Sequence, residues 1–236
     1  MFLNLTNRSE EKELMDDPMV DQKALDVALS DVSRVNKLLG GNGITINAVF
    51  KQIARAMIVK EWTIVDLGSG DGEMLRQIAD QARKLKIKVK LIGLDINDKC
   101  VLRSKQLSVL YPEISYYNKS FISLTKEELY CDIMICTLTF HHMKNEEIKN
   151  VIYKSKELVS TSLIINDLHR NSIAYFLFKI FSFFFIKGHI AKHDGLVSIK
   201  RGFKRIELMN LAKELNLHSY QLDWKWAFRY RWIIQM

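Results

Sequence analysis

Residues 63–72, with the sequence TIVDLGSGDG, decide the fold class of this chain. The first five residues are mostly apolar and β-prone, as in a buried strand, and a glycine-rich turn follows them directly. The next segment, EMLRQIADQARKL at 73–85, has the apolar spacing of a helix. Glycines after a strand let the backbone turn sharply and let a ligand lie against bare main chain. The stretch therefore predicts a strand, a ligand-binding turn and a helix.

The chain after residue 86 continues this alternation of strands and helices. Six further strands, two of them in the β-prone residues 218–236, and three further helices are predicted. The first four of these strands lie at 89–95, 114–118, 132–137 and 162–166, and the helices lie at 98–110, 145–158 and 204–215. Strands that alternate with helices form a parallel sheet covered by helices. The sequence therefore predicts an α/β fold.

The first sixty residues are predicted to be largely helical. Helix is expected over 8–39, with a break at Pro18, because proline disfavours helical geometry in the residue before it. The glycines of 40–43 are expected to stop this helix, and a further helix is expected over 45–59. A helical segment in front of the first strand is interpreted as a cap over the active site.

The chain thus divides into an N-terminal helical cap or lid, 1–60, and a main domain, 61–236, with a Phe-rich helical insertion at about 170–203. Within the insertion, residues 172–186 are almost wholly apolar, apart from Lys179 and two serines. A helix of this length spans about 22 Å, short of a ~30 Å bilayer core. It is interpreted as a core or lid helix that walls a hydrophobic pocket. Peripheral membrane contact and a dimer interface stay open as alternatives.

Composition and charge narrow the classes of function. The chain has 236 residues, is 48% hydrophobic and carries a net charge of +8, so it is an ordinary globular protein with a basic surface. A basic surface favours anionic partners, but much of the excess lies in RKLKIKVK at 83–90. That run is typical of a solvated helix end that continues into a strand. Nucleic acid is therefore not the predicted partner.

The cysteines and the N-terminus indicate a reduced compartment. Cys100, Cys131 and Cys136 are odd in number and have no C-x-x-C spacing, which predicts neither a disulfide framework nor a zinc site. The N-terminal residues turn acidic within ten positions and lack the basic and apolar regions of a signal peptide. A cytoplasmic protein is predicted.

Acidic residues around the glycine turn indicate the charge of its ligand. Asp66 precedes the glycines, and Asp95 ends the second predicted strand, where an acid can accept hydrogen bonds from ribose hydroxyls. Dinucleotide sites need G-x-G-x-x-G, whereas this chain has G-x-G-x-G. Asp71 and Glu73 would also repel a pyrophosphate. A cationic sulfonium that carries an amino acid fits better.

Three segments, VDLGSGDGEM, GLDIN and DIMICTLTFHHM, resemble the class I S-adenosylmethionine (SAM)-dependent methyltransferases. The resemblance is to their small-molecule branch, the ubiquinone/menaquinone-type enzymes, and it covers roughly residues 60–168. It implies a Rossmann-like, doubly wound sheet of seven strands, mostly parallel, with an antiparallel last strand. It also implies SAM as the cofactor.

The resemblance assigns the methionine and ribose parts of SAM to the two acidic strand ends. Gly68, Ser69 and Gly70 would line the methionine part. Asp66 would reach its amino group, directly or through water, and Asp95 would hold the ribose.

The adenine and the transferred methyl group would lie farther along the same edge of the sheet. Ile96 and Phe121 would pack on the two faces of the adenine. Ser120 stands where the family often has an aspartate for the adenine amine, so its hydroxyl or a backbone group would substitute. Thr137 would border the transferred methyl.

Histidines near the predicted strand ends are candidates for a general base, because imidazole titrates near neutral pH. His142, His169 and His193 are the candidates, and at least one of the adjacent pair His141-His142 is expected to be structural. Asp167-x-His169 and His193-Asp194 place a carboxylate near an imidazole in the sequence. No metal site is predicted, because adjacent histidines are expected to point apart and no H-x-x-x-H occurs.

The predicted function is methyl transfer to a hydrophobic small molecule of aromatic or phenolic, polyketide- or isoprenoid-like, character, as in secondary metabolism. Two alternatives stay open: an RNA methyltransferase, suggested by the positive charge, and a non-catalytic SAM-binding assembly protein. Either a monomer or a homodimer is compatible with the sequence.

Overall fold

A seven-stranded sheet forms the centre of the computed structural model, which describes residues 3–17 and 19–236. The predicted helix break at Pro18 lies outside these residues. The strands stand in the order β3-β2-β1-β4-β5-β7-β6. They are β1 (Trp62–Leu67), β2 (Val89–Asp95), β3 (Ile114–Asn118), β4 (Cys131–Thr137), β5 (Val159–Leu168), β6 (Tyr220–Lys225) and β7 (Arg229–Gln235).

Strand directions confirm the predicted sheet. The first five strands pair in parallel, and β7 runs antiparallel to both β5 and β6. The order reverses between β1 and β4, which makes the carboxyl ends of these two strands the switch point where ligands bind in such sheets. The fold is therefore the predicted Rossmann-like, doubly wound one.

Eight α-helices accompany the sheet in the described residues. They are α1 (Gln22–Leu38), α2 (Gly41–Ala56), α3 (Glu73–Leu85), α4 (Asp98–Leu107), α5 (Asn145–Leu158), α6 (Ser172–Phe185), α7 (His189–Arg201) and α8 (Arg205–Glu214). The helix at 73–85, the strand at 89–95 and the helix at 145–158 have the predicted bounds.

Two hydrophobic cores lie on opposite faces of the sheet because successive strand residues point to opposite sides. Ile64 and Leu91 belong to the core shared with α2 and α3, whereas Val65 and Ile92 belong to the core shared with α5 and α8. Helices on both faces explain why the parallel strands are almost continuously apolar.

The N-terminal region departs from its prediction at two places. Residues 8–13 are not helical, and a short 3-10 turn at Leu14–Asp16 is the only helical structure between residue 8 and residue 17. The glycines of 40–43 end the first helix as predicted, since α1 ends at Leu38 and Gly40 has a left-handed φ of 70°, but α2 starts at Gly41 and not at the predicted Thr45. Ala48 and Val49 of α2 pack in the same core as β1, so α2 is built into the sheet domain. The predicted boundary at residue 60 stays a prediction.

The Phe-rich insertion consists of α6 and α7, which pack against each other. Gly195 of α7 allows this contact, because a Cβ there would lie 2.2 Å from the Phe178 ring. Ala28 of α1 and Ala191 of α7 share a small hydrophobic cluster with Ile186. Among the described residues, no helix has the length and apolar character needed to cross a membrane.

Candidate functional site

The glycine turn after β1 has the backbone geometry that only glycine adopts easily. Gly68 and Gly70 have φ values of 75° and 54°. The backbone amide of Gly68 donates to the carbonyl of Leu94 over 2.8 Å, which ties the turn to β2. A Cβ on Gly68 would lie 2.5 Å from Oγ1 of Thr139. The loop after β4 is therefore packed directly against the turn.

Buried polar atoms beneath this turn have no partner within the chain. Asp66 is buried, and its Oδ1 makes no hydrogen bond. Burial, reinforced by the nearby charge of Asp95, raises the pKa of Asp66 well above its ordinary value. Oγ of Ser69 is also buried without a partner. Unpaired buried polar atoms are costly, so these two atoms are suited to a ligand that donates hydrogen bonds and carries positive charge.

Asp95 stands at the carboxyl end of β2 and holds the other side of the turn. Its Oδ2 accepts from the backbone amide of Gly70 over 2.9 Å, and its Oδ1 accepts from that of Asn97 over 2.9 Å. The next residue, Ile96, is 82% exposed and is free to pack on a planar ligand. The placement of a ribose at Asp95 and of one adenine face at Ile96 stays a prediction.

The predicted second adenine contact, Phe121, is wrong. This side chain is only 2% exposed and lies in the hydrophobic core, so it has no face to offer a ligand. The adjacent Ile122 is 46% exposed. Ser120 is exposed as well. The sequence could not distinguish Phe121 from Ile122, because both are apolar neighbours that follow the third strand. The 3-10 turn at Phe121–Ser123 decides which of the two side chains is buried.

Helix α1 lies over the glycine turn. Oγ of Ser33 donates to Oδ2 of Asp71 over 3.0 Å, and Leu29 lies 4.0 Å from where a Cβ on Gly70 would be. Nζ of Lys99, at the start of α4, donates to the carbonyl of Val20 over 2.8 Å. The turn is therefore enclosed between the sheet and α1.

A largely apolar cavity of about 500 Å³ lies at the same edge of the sheet. Its walls come from α1, α6, α7, the turn between β6 and β7, and the ends of β4 and β5 at Leu138 and Leu168. Leu138 precedes Thr139, which packs on Gly68, so one loop contacts both the cavity and the glycine turn. Thr137 ends β4 beside this loop, and its Oγ1 lies 2.9 Å from Oγ1 of Thr45 in α2.

Two of the three candidate histidines line this cavity. His142 lies at its polar end, and its Nδ1 is 3.1 Å from Oδ2 of Asp16. His169 lies at the other end, and its Nδ1 accepts from Nε1 of Trp224 over 3.3 Å. Burial lowers the pKa of His169, and the positive charges of Arg170 and Lys204 lower it further.

The third candidate, His193, does not line the cavity. Its Nδ1 lies 2.8 Å from Oδ1 of Asp194, so the predicted contact between these neighbours does form. Its Nε2 is 3.5 Å from Oε1 of Glu11, near the surface. The predicted catalytic role of His193 is therefore wrong, because its ring faces Glu11 and Asp194 and does not contact the cavity.

The polar end of the cavity contains a group that the sequence reasoning missed. Nδ1 of the buried His141 lies 2.7 Å from Oδ1 of Asp167, and its Nε2 lies 3.4 Å from Oε1 of Glu13. Burial opposes the charged imidazole, but the two carboxylates outweigh burial and raise the pKa of His141 to about 9. Asp167 thus pairs with His141 and not, as its sequence position suggested, with His169.

His141 and His142 also differ from their prediction. The two rings lie with centroids 4.3 Å apart, and both face Glu13, whose Oε2 is 3.7 Å from Nε2 of His142. The expectation that adjacent histidines point apart is wrong here, because the 3-10 turn at Phe140–His142 turns them to the same side. No local sequence signal could link them to Glu13, which comes from the distant N-terminal segment.

Arg229 is a further polar residue of the cavity wall. Its side chain is buried, its Nη2 donates to Oδ1 of Asn36 over 2.7 Å, and its Nη1 makes no hydrogen bond. Burial lowers the pKa of Arg229 to about 10. Gly41 is required beside it, since a Cβ there would lie 2.9 Å from the guanidinium carbon.

Comparisons with known proteins agree with this geometry. Residues 64–161 match the model of a methyltransferase domain. No curated protein matches the chain in sequence.

Several solved structures share the fold at low sequence identity. The plantazolicin methyltransferase in complex with SAH is 13% identical, with a TM-score of 0.65 over 91% of this chain and 95% of that one. The magnesium protoporphyrin IX methyltransferase from Synechocystis with bound SAM is 14% identical, with a TM-score of 0.57 over 93% and 99% of the two chains. A SAM-dependent methyltransferase from Aquifex aeolicus is 13% identical, with a TM-score of 0.55 over 78% and 88%. The chain therefore has the fold of SAM-dependent methyltransferases.

Proposed function

We propose that this chain is a class I SAM-dependent methyltransferase of the small-molecule, ubiquinone/menaquinone-type branch, acting on a hydrophobic, aromatic acceptor. The observation that carries the proposal is the loop Leu138–Thr139, which places an apolar cavity of about 500 Å³ directly beside the glycine turn. A methyl donor bound at the glycine turn and an acceptor bound in the cavity would therefore lie next to each other, as methyl transfer requires. The match of residues 64–161 to a methyltransferase domain supports the same function.

The residues around the glycine turn fit the methionine part of SAM. Oδ1 of Asp66 and Oγ of Ser69 are buried without partners, and an ammonium group would supply the missing donors and the compensating charge. When bound, SAM supplies a methyl group on a sulfonium, which is already activated for transfer. The task left to the protein is alignment and exclusion of water.

Asp95 and its neighbours fit the nucleoside part. Its carboxylate oxygens hold backbone amides of the turn and can also accept from ribose hydroxyls. Ile96 packs on one adenine face in this proposal, and Ile122 takes the place predicted for Phe121. Neither isoleucine side chain can accept a hydrogen bond from the adenine amine, so Ser120 or a backbone group is proposed for that contact.

The cavity fits an acceptor that is mostly apolar and carries few polar groups. Since most of its wall is aliphatic or aromatic, the acceptor's reacting oxygen is placed at the polar end, beside Glu13 and His142. His142 follows Leu138 and Thr139 in the same loop after β4, which packs on the glycine turn at Gly68. His169 accepts from Trp224 at Nδ1, so its neutral ring carries the proton on Nε2 and acts as a donor to the acceptor.

Ligand-dependent thermal unfolding tests this function first. At about 100 Kd, SAM or S-adenosylhomocysteine should stabilise the protein by ~2.7 kcal/mol, a shift of several degrees in Tm, whereas NADH should have no effect. A screen of phenolic and polyketide- or isoprenoid-like acceptors with methyl-labelled SAM then tests turnover. Stabilisation without transfer to any acceptor would favour the assembly-protein alternative, and salt-sensitive RNA binding with transfer to RNA would favour the RNA methyltransferase. The absence of any shift would reject the proposal.

A further inference from the structure

Three side chains with metal-ligating atoms converge at the polar end of the cavity. They are Glu13, from the N-terminal segment, and the adjacent His141 and His142, from the 3-10 turn after β4. One carboxylate oxygen of Glu13 and one ring nitrogen of each histidine all lie within 4.8 Å of one another, and the two Nε2 atoms lie 3.4 Å and 3.7 Å from the Glu13 carboxylate. All three residues line the cavity wall, so the cluster faces a space that can admit a small ligand.

Both imidazoles are oriented through their other ring nitrogen by a separate carboxylate. Nδ1 of His141 lies 2.7 Å from Oδ1 of Asp167, and Nδ1 of His142 lies 3.1 Å from Oδ2 of Asp16. In this arrangement Nδ1 faces the carboxylate behind it and Nε2 is directed toward Glu13, so a metal ion bound at Nε2 would replace the proton that His141 carries there in the metal-free protein. Histidine ligands of metals are typically held in this way by carboxylates behind them.

An unpartnered buried atom points independently to a ligand between these groups. Nε2 of His141 is fully buried and makes no hydrogen bond, although Oε1 of Glu13 is 3.4 Å away. Two ligand atoms bonded to one tetrahedral metal at ~2.0–2.1 Å are separated by roughly 3.3–3.4 Å. The observed separation matches that of two metal ligands.

Three carboxylates surround the two imidazoles at this end of the cavity, and the guanidinium groups of Arg8 and Arg201 bond to the backbone carbonyls behind the rings. Glu13 and Asp167 are buried carboxylates on either side of His141, and Asp16 approaches from the surface. Arg229 is near enough to Asp167 to interact with its charge, but it makes no contact with Glu13. Ser198 donates to Oε1 of Glu13 over 2.8 Å and orients this carboxylate without neutralising it.

We propose that Glu13, His141 and His142 form a binding site for one divalent transition-metal ion. Two imidazoles and one carboxylate suit Zn²⁺, Co²⁺, Ni²⁺ or Fe²⁺, whereas Mg²⁺ and Ca²⁺ prefer a set of oxygens. Three protein ligands leave at least one coordination position open toward the cavity, as in catalytic sites. If the proposed function holds, the ion would polarise the acceptor's hydroxyl group there, so that its proton is lost to water while its oxygen takes the methyl group from SAM and S-adenosylhomocysteine leaves. Metal binding itself does not depend on the proposed function.

Titration with Co²⁺ alone tests the site without SAM or any acceptor. The full chain, produced without a histidine tag and stripped with a chelator, is expected to bind one equivalent and to develop visible absorption bands from nitrogen and oxygen ligands. Glu13→Gln and His142→Asn should each weaken binding at least tenfold. Asp16→Asn, a change behind a ligand, should weaken it by ~10–100-fold. The matched control is the double variant Glu11→Gln/His193→Asn, which removes the outer Glu–His pair and should bind as the native chain does.

Two checks keep the result interpretable. His142 is partly exposed, so His142→Asn should retain the native circular dichroism and Tm in the metal-free state even if Glu13→Gln does not. A thermal shift with S-adenosylhomocysteine, measured on the same metal-free samples, reports separately on the cofactor site. The absence of a one-equivalent Co²⁺ complex, or an affinity that survives His142→Asn and Glu13→Gln or falls equally in the control, would overturn the metal site.

Discussion

At the scale of single residues, Asp66 combines a functional position with a cost to folding. Its raised pKa means that the folded protein holds a proton on Asp66 more tightly than the unfolded chain does. The stability contributed by this group is therefore complete below the ordinary aspartate pKa of ~4, and it is lost as the pH rises through the higher folded pKa. Ionisation of this buried, unpaired carboxylate therefore opposes folding.

Asp66→Asn is accordingly expected to raise the Tm of the ligand-free protein near neutral pH, with a gain that shrinks toward pH ~4. It should also weaken SAM binding tenfold or more, since a hydrogen bond to a charged group is worth ~1.5–3 kcal/mol. Calorimetry and thermal scans over a pH series measure both effects. The control is Asp80→Asn, an exposed carboxylate of α3, which should change neither quantity much. A Tm that falls at every pH, or unchanged SAM affinity, would contradict this role for Asp66.

The residues that could be predicted from the sequence are those with a local signal. Asp66 and the glycines belong to one continuous motif, and Asp95 ends the next apolar run, so both could be placed at one sheet edge. Glu13 and Asp167 could not be linked to His141, because their contacts join the N-terminal segment, the end of β5 and the turn after β4. Such pairing depends on the packed structure, and one sequence contains no periodicity that reports it.

At the scale of elements, α1 acts as the cover of the cofactor turn. Leu29 lies over Gly70 and Ser33 bonds to Asp71, whereas Arg103 of α4 bonds to two other residues of α1, Asp26 and Ser30. Leu29→Ala removes apolar contact above the turn while leaving the helix intact, since alanine is a strong helix former. We expect release of SAM to become roughly tenfold faster, from a loss of about 1–2 kcal/mol of apolar burial.

Stopped-flow displacement of bound SAM by excess S-adenosylhomocysteine measures this release rate. Lys23→Ala, an exposed change on the same helix, is the matched control and should leave the rate unchanged. Equal release rates for Leu29→Ala and the native chain would show that α1 does not retain the cofactor, and the lid interpretation would then fail.

Elements of the sheet could be predicted closely, whereas the N-terminal segment could not. The strands and α3 have long, uniform patterns whose period fixes their type. Residues 8–13 have helical composition, but Arg8 donates to the carbonyls of His141 and Met143, and this tertiary bonding holds the segment extended. The glycines at 40–43 correctly predicted the end of α1, but not that α2 begins at Gly41, where the Arg229 guanidinium packs in the place of a Cβ.

At the scale of the whole molecule, α6 leaves an apolar stripe on the surface of a basic protein. Ile173, Phe176, Ile180 and Phe183 are spaced as one helix face, and each is more than half exposed. Exposed apolar patches of this kind on monomers mark interaction sites. Lys179 and Lys187 are exposed nearby, and the net charge of +8 favours an anionic surface. Peripheral membrane contact, which the sequence left open, predicts that this stripe binds an anionic lipid surface.

Phe176→Ser/Phe183→Ser should weaken binding to vesicles of anionic lipid more than tenfold, because a buried Phe side chain contributes ~1.5–3 kcal/mol. Neither residue lines the cavity, so cofactor-dependent thermal shifts should persist in the variant. Co-sedimentation with anionic and with zwitterionic vesicles measures the effect, and the native chain should bind the anionic ones more tightly, with a loss of affinity at high salt.

A native chain that binds neither vesicle but sediments as a dimer, with the double variant sedimenting as a monomer, would instead make this stripe the interface between two copies. Vesicle binding and dimerisation can be told apart, because a lipid surface needs no complementary shape. In a symmetric dimer, by contrast, the stripe of one copy must pack against the same stripe of the other.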